Sequence, residues 1–127
     1  MSAIEDESGL SILPPIRTWL DGEGAAPTVL RAGGRNARLA IAEDAPATLG
    51  ALAEAARAAF TGLGLRDYAR FDFRIDAAGR AVLLDANALP GLHPALSPFM
   101  LAANAGGWSC HRLYAHLAGR ALARAAG

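Results

Sequence analysis

A pair of apolar runs that ends in polar residues constrains this chain more than any other feature. Residues 71–76 read FDFRID, in which apolar and polar residues alternate with the period of a strand that has one apolar face. A turn with the sequence AAG follows, and the second run ends in the letters DAN, with Asp85 and Asn87 at its two ends. We therefore predict a β-hairpin that brings Asp72 close to Asp85 and Asn87.

The polar end of this hairpin has the composition of a metal site. Magnesium prefers carboxylate and amide oxygens, and proteins often bind it through one or two carboxylates together with substrate phosphates. Asp72, Asp85 and Asn87 are the predicted ligands of magnesium or manganese, and Arg70 adds a cation on the same face. Gly91, in the loop after the hairpin, can present its backbone N–H to negative charge at close range. Turns also use these residue types, so spacing alone leaves a purely structural interpretation open.

The order of these residues resembles a known family. R-x-D followed by D-x-N-x-x-P-G resembles the C-terminal half of the ATP-grasp ligases, and most closely the D-alanine-D-alanine ligase group. The letters SILPPIR near the start resemble the family strand that precedes its substrate loop, and the tail from Ala103 resembles its closing helix, so the likeness covers most of the 127 residues. The family usually has Glu where this chain has Asp85. The resemblance implies an α/β (α+β) fold, with a mainly antiparallel sheet and helices packed against it.

The resemblance also implies a chemistry and a role for each site residue. ATP would phosphorylate a carboxylate, and an amine would then displace phosphate from the acyl phosphate. Asp72, Asp85 and Asn87 would hold magnesium, and Arg70 would stabilise the transferring phosphoryl group. The N–H of Gly91 would face the tetrahedral oxyanion. Leu84 would line the adenine pocket.

The substrate side of the site is less well defined by the sequence. The family's substrate serine follows the Pro-Gly loop, but Ser97 lies one residue further from Gly91 than in ligases specific for D-alanine, and Leu96 occupies the expected place. The identity of the amino-acid-like carboxylate substrate therefore does not transfer. His93 lies in the same loop, where a substrate contact is one interpretation and a surface position is the other.

The positive residues differ from those of the family. All 12 are arginines. The family holds the nucleotide phosphates with lysines from a preceding lobe. We expect this sequence to lack that lobe and also the N-terminal substrate-binding domain. We therefore expect a truncated, partial ATP-grasp module, whose missing lobe a partner chain or a second copy would supply. Two alternatives remain open: a degenerate remnant that binds a metal, a nucleotide or a protein without turnover, and a metal-dependent phosphohydrolase.

Composition excludes several other classes. Twelve acidic residues balance the 12 arginines, so no overall field attracts the chain to nucleic acid or to an anionic membrane. No apolar run approaches the roughly 20 residues that span a bilayer, and the start is unlike a secretory signal. The single cysteine, Cys110, excludes an intrachain disulfide. We predict a cytoplasmic protein with one domain over residues 1–127.

Local patterns predict the remaining elements. Residues 1–9 are polar and predicted to be flexible, and residues 10–19 are predicted to form a strand whose two prolines require an edge position or a bulge. Asp44 and Pro46 are typical of a helix start, and Ser97 and Ser109 are typical caps of two later helices. The further expectations are strands at 28–31 and 37–41 around a turn at 33–36, and helices that end near Gly62, Asn104 and Ala125.

Overall fold

A computed structural model describes residues 1–20 and 37–127 of the chain. In chain order the elements are β1 (Ser2–Asp6), β2 (Gly9–Leu13), β3 (Ile16–Leu20), β4 (Ala37–Ile41), α1 (Pro46–Gly62), β5 (Tyr68–Ile75), β6 (Ala81–Asn87), α2 (Pro98–Ala105) and α3 (Cys110–Ala126). All paired strands are antiparallel, which together with the packed helices confirms the predicted fold class. The predicted strand at 28–31 and the turn at 33–36 lie outside the described residues.

The start of the chain lies inside the main sheet. The strand order is β2-β1-β5-β6, so β1 has a partner on each side. Ser2, Ala3 and Ile4 are buried. The expectation that residues 1–9 are flexible is therefore wrong for β1. The acidic residues 5–7 made the start of the chain look polar, although the residues before them are buried. Strand β1 is stabilised by pairing with β5, which is distant in sequence.

The two consecutive prolines divide one predicted strand into two. Residues 10–19 do not form a single strand, because β2 ends at Leu13 in the main sheet and β3 begins at Ile16 in a separate pair with β4. Proline has no N–H to donate to a ladder, so the chain leaves one sheet at Pro14 and enters the other after Pro15. The carbonyl of Pro15 accepts a hydrogen bond from the N–H of Ala42 at 2.8 Å, which extends the β3 and β4 pair.

Helix α1 covers one face of the main sheet. Its buried residues Leu52, Ala56 and Phe60 are four positions apart and so share one side of the helix. Ala56 and Phe60 form a hydrophobic cluster with residues that include Ala69 and Phe71 of β5. The predicted helix is confirmed, with Pro46 in its first turn.

The cap of α1 differs from the expectation. Its N-cap residue is Ala45, which makes no side-chain cap. Asp44, which the sequence suggested as part of the helix start, accepts a hydrogen bond from the guanidinium of Arg17 in β3 instead. The residue therefore links the second sheet to the start of the helix.

Helices α2 and α3 cover the other face. Phe99 and Met100 of α2 are fully buried in a cluster with Ile4, and the ring of Tyr68 meets that of Phe99 edge-on with a centroid distance of 5.4 Å. Leu113 joins this cluster from α3. Both helices begin at the predicted serine caps. Among the described helices, none has the length and apolar character needed to cross a membrane.

Candidate functional site

Strands β5 and β6 pair in a register that gathers the predicted polar residues. Arg70 lies opposite Asn87, and Asp72 lies opposite Asp85. Side chains alternate between the faces of a strand, so these four residues share one face of the hairpin. Tyr68 belongs to the same face, where α2 covers it. This sheet face is therefore apolar and covered by α2 near Tyr68, and it is polar and open where the four residues lie.

A β-bulge lies beside the two aspartates. Phe73 pairs with Leu83, so Leu84 is the additional residue on β6 between Leu83 and Asp85. The side chain of Leu84, which the resemblance assigns to an adenine pocket, is 60% exposed. A large apolar side chain is therefore displayed at the edge of the polar face, and its contact with a base stays a prediction.

The two carboxylates on this face differ in their partners. Arg70 donates from Nε to Oδ1 of Asp72 and from Nη2 to Oδ2 of Asp72, each at 2.9 Å, which is a bidentate ion pair. The side chain of Arg70 is 24% exposed and that of Asp72 is 44% exposed. Asp85 is exposed, and its side chain forms no hydrogen bond or ion pair with any described residue. The face therefore carries one neutralised carboxylate and one free carboxylate.

Asn87 fixes the chain where the hairpin ends. Its Oδ1 accepts a hydrogen bond from the N–H of Leu89 at 2.9 Å, which is an Asx turn that leads into the loop. An amide oxygen has a second lone pair, so this bond leaves Asn87 able to accept another ligand. The side chain thus holds the start of the loop in place and remains a potential metal ligand.

Gly91 has space around its Cα atom. A Cβ atom added there would meet no heavy atom within 4 Å, and its φ does not lie in the left-handed region. Its N–H has no acceptor among the described residues, whereas its carbonyl accepts a hydrogen bond from the hydroxyl of Ser97. The fold itself therefore does not require a glycine at this position. Close approach of a ligand to the backbone is a physical reason for one.

Ser97 and His93, the predicted substrate residues, have partners within the loop. The hydroxyl of Ser97 also accepts from the N–H of Met100 at 3.3 Å, so this buried side chain caps α2. His93 is exposed, and its Nδ1 accepts a hydrogen bond from the N–H of Ala95 at 3.2 Å. Neither observation tests a substrate contact, and both roles stay predictions.

A tyrosine that the sequence did not single out holds the same loop. The Tyr114 hydroxyl donates to the carbonyl of Leu92 at 2.6 Å and ties the loop to α3. The two residues are 22 positions apart, so no local pattern could have indicated this contact.

The oxygen donors fit a hard cation by type. Two carboxylates and one amide lie on a single face, and such donors suit magnesium or manganese. The described residues contain no group of three or more His, Cys, Asp or Glu side chains that could hold a metal ion. A third protein ligand at the hairpin therefore has to be Asn87, and the remaining ligands would be water or phosphate.

An open cleft of about 400 Å³ lies away from the hairpin, between the turn after β1 and the first turns of α3. It is lined by Asp6, Glu7, Ser8, Trp108, Arg112 and His116. Two of its charged residues already have partners: Asp6 accepts from Ser8, and the guanidinium of Arg112 lies 4.1 Å from the centre of the Trp108 ring. We therefore place the candidate site at the hairpin, whose side chains carry the chemistry.

A second group of charged residues was not expected from the sequence. Asp67 precedes β5 with a left-handed φ of 66°, and its Oδ1 accepts from Nε of Arg120 at 2.6 Å and from Nη1 of Arg124 at 2.7 Å. Arg120 also reaches Oε2 of Glu5 at 3.1 Å. Burial raises the pKa of Asp67, but the hydrogen bonds from Arg124 and Arg120 outweigh it and hold the pKa below its usual value. This group joins α3 to the sheet and has a structural role.

Comparison with known proteins identifies a family. The sequence model described as D-ala D-ala ligase C-terminus matches residues 34–118, which is more than half of the chain. Among curated protein sequences, no match was found.

Solved structures share the fold. The D-alanine--D-alanine ligase from Bacillus anthracis superposes with a TM-score of 0.72 at 19% identity, over 95% of this chain and 38% of that one. The same enzyme complexed with ATP gives a TM-score of 0.69 at 20% identity, over 91% of this chain and 36% of that one. D-alanyl-alanine synthetase A from Vibrio cholerae O1 biovar eltor str. N16961 gives a TM-score of 0.71 at 23% identity, over 93% of this chain and 36% of that one.

These similarities at low identity establish the fold, and the chain spans less than two fifths of the length of each of these ligases. The sequence model provides the independent evidence of relationship, and it covers the hairpin, the loop and both later helices up to residue 118. The resemblance inferred from the motif is therefore confirmed: this chain belongs to the family of the D-Ala-D-Ala ligase C-terminal domain.

Proposed function

We propose that this chain is a partial ATP-grasp module that carries the magnesium and ATP site of a carboxylate-amine ligase. The observation that supports it most directly is the register of β5 and β6, which puts Arg70, Asp72, Asp85 and Asn87 on one open face. The family match makes a ligase the preferred context for these residues. One of the similar ligases has been solved in complex with ATP, which agrees with nucleotide use.

The proposed chemistry has two steps. A substrate carboxylate oxygen attacks the γ-phosphorus of ATP, ADP leaves, and an acyl phosphate forms. An amine then attacks the acyl carbon, phosphate leaves, and the nitrogen loses a proton to give the amide. Asp72, Asp85 and Asn87 would hold magnesium, which when bound would reduce the negative charge of the phosphates.

Each site residue then has a specific task. Asp72, Asp85 and Asn87 hold the metal, and Arg70 directs its guanidinium to the transferring phosphoryl group. The N–H of Gly91, which has no acceptor among the described residues, donates to the oxyanion of the tetrahedral intermediate. The exposed side chain of Leu84 packs on the adenine. His93 and Ser97 lie in the loop that would border the amino-acid-like substrate.

We infer that the hairpin alone does not provide every cation that this chemistry uses. Phosphoryl transfer depends on positive groups around the β- and γ-phosphates in addition to magnesium. The sequence contains no lysine, and among the described arginines Arg70 is the one that forms an ion pair with a predicted metal ligand. We therefore propose that a further lobe, from a partner chain or from a second copy, completes the site for turnover.

The missing lysines also support a second candidate. A degenerate ATP-grasp remnant would keep the fold and bind a metal, a nucleotide or a protein without catalysis. The two candidates differ in whether the hairpin still binds magnesium and ATP together.

The test is magnesium-dependent ATP binding, measured by equilibrium dialysis with labelled nucleotide. We expect weak binding that strengthens with magnesium and that falls on the order of tenfold or more in Asp85→Asn. Asp76→Asn is the matched control, because Asp76 lies on the same hairpin at its other end, where it accepts hydrogen bonds from Ala78 and Arg80. The control should bind ATP as the unaltered chain does. If magnesium has no effect, or if both variants lose binding equally, the degenerate remnant is the better account.

A further inference from the structure

The ion pair between Arg70 and Asp72 has a consequence for metal binding. Both terminal oxygens of Asp72 accept N–H groups from Arg70 at 2.9 Å. An ionised carboxylate offers about four lone-pair positions, and a bidentate pair occupies one on each oxygen and neutralises the charge. A cation that approaches Asp72 therefore meets a carboxylate that already has a counter-ion.

The position of the pair increases this effect. Arg70 is only 24% exposed, so its guanidinium is less hydrated than that of a surface arginine. Asp85 lies directly opposite Asp72, and two like charges at such positions on neighbouring strands repel each other. Arg70 removes part of this repulsion when no metal is present. The unliganded hairpin is thus stabilised by the contact that competes with a metal.

We infer that Arg70 is an internal counter-ion that restricts access of a divalent cation to Asp72. The inference rests on the proposed function, because it takes Asp72 and Asp85 to be metal ligands. Metal binding requires the guanidinium to give up at least one of its two hydrogen bonds. The contact therefore lowers metal affinity until another anion, such as a phosphate, attracts Arg70 away from Asp72.

A comparison of three arginine variants tests the inference through metal affinity alone. Free manganese is measured by electron paramagnetic resonance during titration of the nucleotide-free chain, and circular dichroism verifies that each variant is folded. Arg70→Met removes the charge and keeps much of the side-chain length. Arg70→Lys keeps the charge but cannot form the two parallel hydrogen bonds of a guanidinium. Arg74→Met is the matched control, because Arg74 lies two residues beyond Asp72 on the same strand and forms no ion pair with any described residue.

The inference makes an ordered prediction for the affinities. Arg70→Met should bind manganese more tightly than the unaltered chain, on the order of 10-fold or more, since the lower end for a charge-assisted hydrogen bond corresponds to roughly that factor. Arg70→Lys should also bind more tightly, by a smaller factor. Arg74→Met should change the affinity by less than about twofold, because an exposed charge is screened by solvent.

The remaining outcomes contradict the inference in distinguishable ways. If Arg70→Met binds manganese no more tightly while Asp85→Asn loses binding, the metal site stands and the counter-ion role is wrong. If Arg74→Met tightens binding as much as Arg70→Met, or if Arg70→Lys binds like the unaltered chain, the effect is one of general charge and the inference is wrong. If neither the unaltered chain nor any variant binds manganese, the proposed metal site itself is wrong and the inference fails with it.

Discussion

Replacement of Asp67 by asparagine should cost about 2 kcal/mol of unfolding free energy at neutral pH. The change removes a charge but retains a residue type that tolerates the left-handed φ of 66° at this position. The side chain of Asp67 is 15% exposed and that of Arg120 is 32% exposed, so their hydrogen bond is assigned about 1.5 kcal/mol, the lower end for charged groups. Arg124 is 44% exposed, and its contact is assigned the value of a surface pair, about 0.5 kcal/mol.

The pH dependence provides a second measurement of the same contact. The folded-state pKa of Asp67 lies below its ordinary value of 3.8, so the ionised form is favoured by folding. Its contribution is complete above that value and disappears as the pH falls through the folded pKa. The difference between the two proteins should therefore be constant from neutral pH down to about 5 and should shrink below about 4.

Urea unfolding of both proteins at a series of pH values checks both statements. Arg124→Met is the control, because it removes the more exposed of the two contacts and should cost only about 0.5 kcal/mol. A loss in Asp67→Asn that persists unchanged at pH 2.5 would show that the effect comes from backbone conformation and would refute the electrostatic reasoning. A loss below about 0.5 kcal/mol at pH 7 would refute the magnitude.

Three further predictions concern the site and its surroundings. The isolated chain should release no phosphate from ATP with magnesium and a pool of D- and L-amino acids, because lost cation contacts cost on the order of 10²- to 10³-fold in rate; turnover that disappears in Asp85→Asn would contradict this. Strand β6 has β5 as its one partner among the described strands and exposes Val82, Leu83 and Leu84, so the chain should self-associate at high micromolar concentration in sedimentation, and a strict monomer would count against it. Gly91→Ala should change the free energy of unfolding by no more than about 1 kcal/mol, because its Cβ would meet no atom within 4 Å, and a larger loss in urea unfolding would mean that the loop needs glycine for its own conformation.

The parts of the fold that the sequence predicted are those with a strong local signal. Alternation in FDFRID predicted β5, and Pro46 predicted the start of α1. The caps of α2 and α3 followed from Ser97 and Ser109. In each case the residues that determine the structure lie within a few positions of each other.

The parts that the sequence did not predict depend on distant contacts. Strand β1 is stabilised by β5, more than 60 positions away. Because β1 ends in acidic residues, its local composition did not indicate a buried strand. The hydrogen bond between Arg120 and Glu5 joins residues 115 positions apart.

At the site, the sequence predicted that the hairpin brings Asp72 close to Asp85. It did not predict the bulge at Leu84, which sets Asp72 opposite Asp85. The two hydrogen bonds from Arg70 to Asp72 were not predicted, because they depend on side-chain conformation.

Manganese-induced broadening of backbone amide resonances tests the central claim most directly, because it locates a bound cation without any requirement for turnover. At substoichiometric manganese, we expect the broadening to centre on Asp72, Asp85 and Asn87, and we expect Asp85→Ala to abolish it there. Broadening centred on residues 5–7 or on Asp76 would place the cation elsewhere. That result, or a manganese affinity that is unchanged in Asp85→Ala, would contradict the account of the hairpin as a metal site.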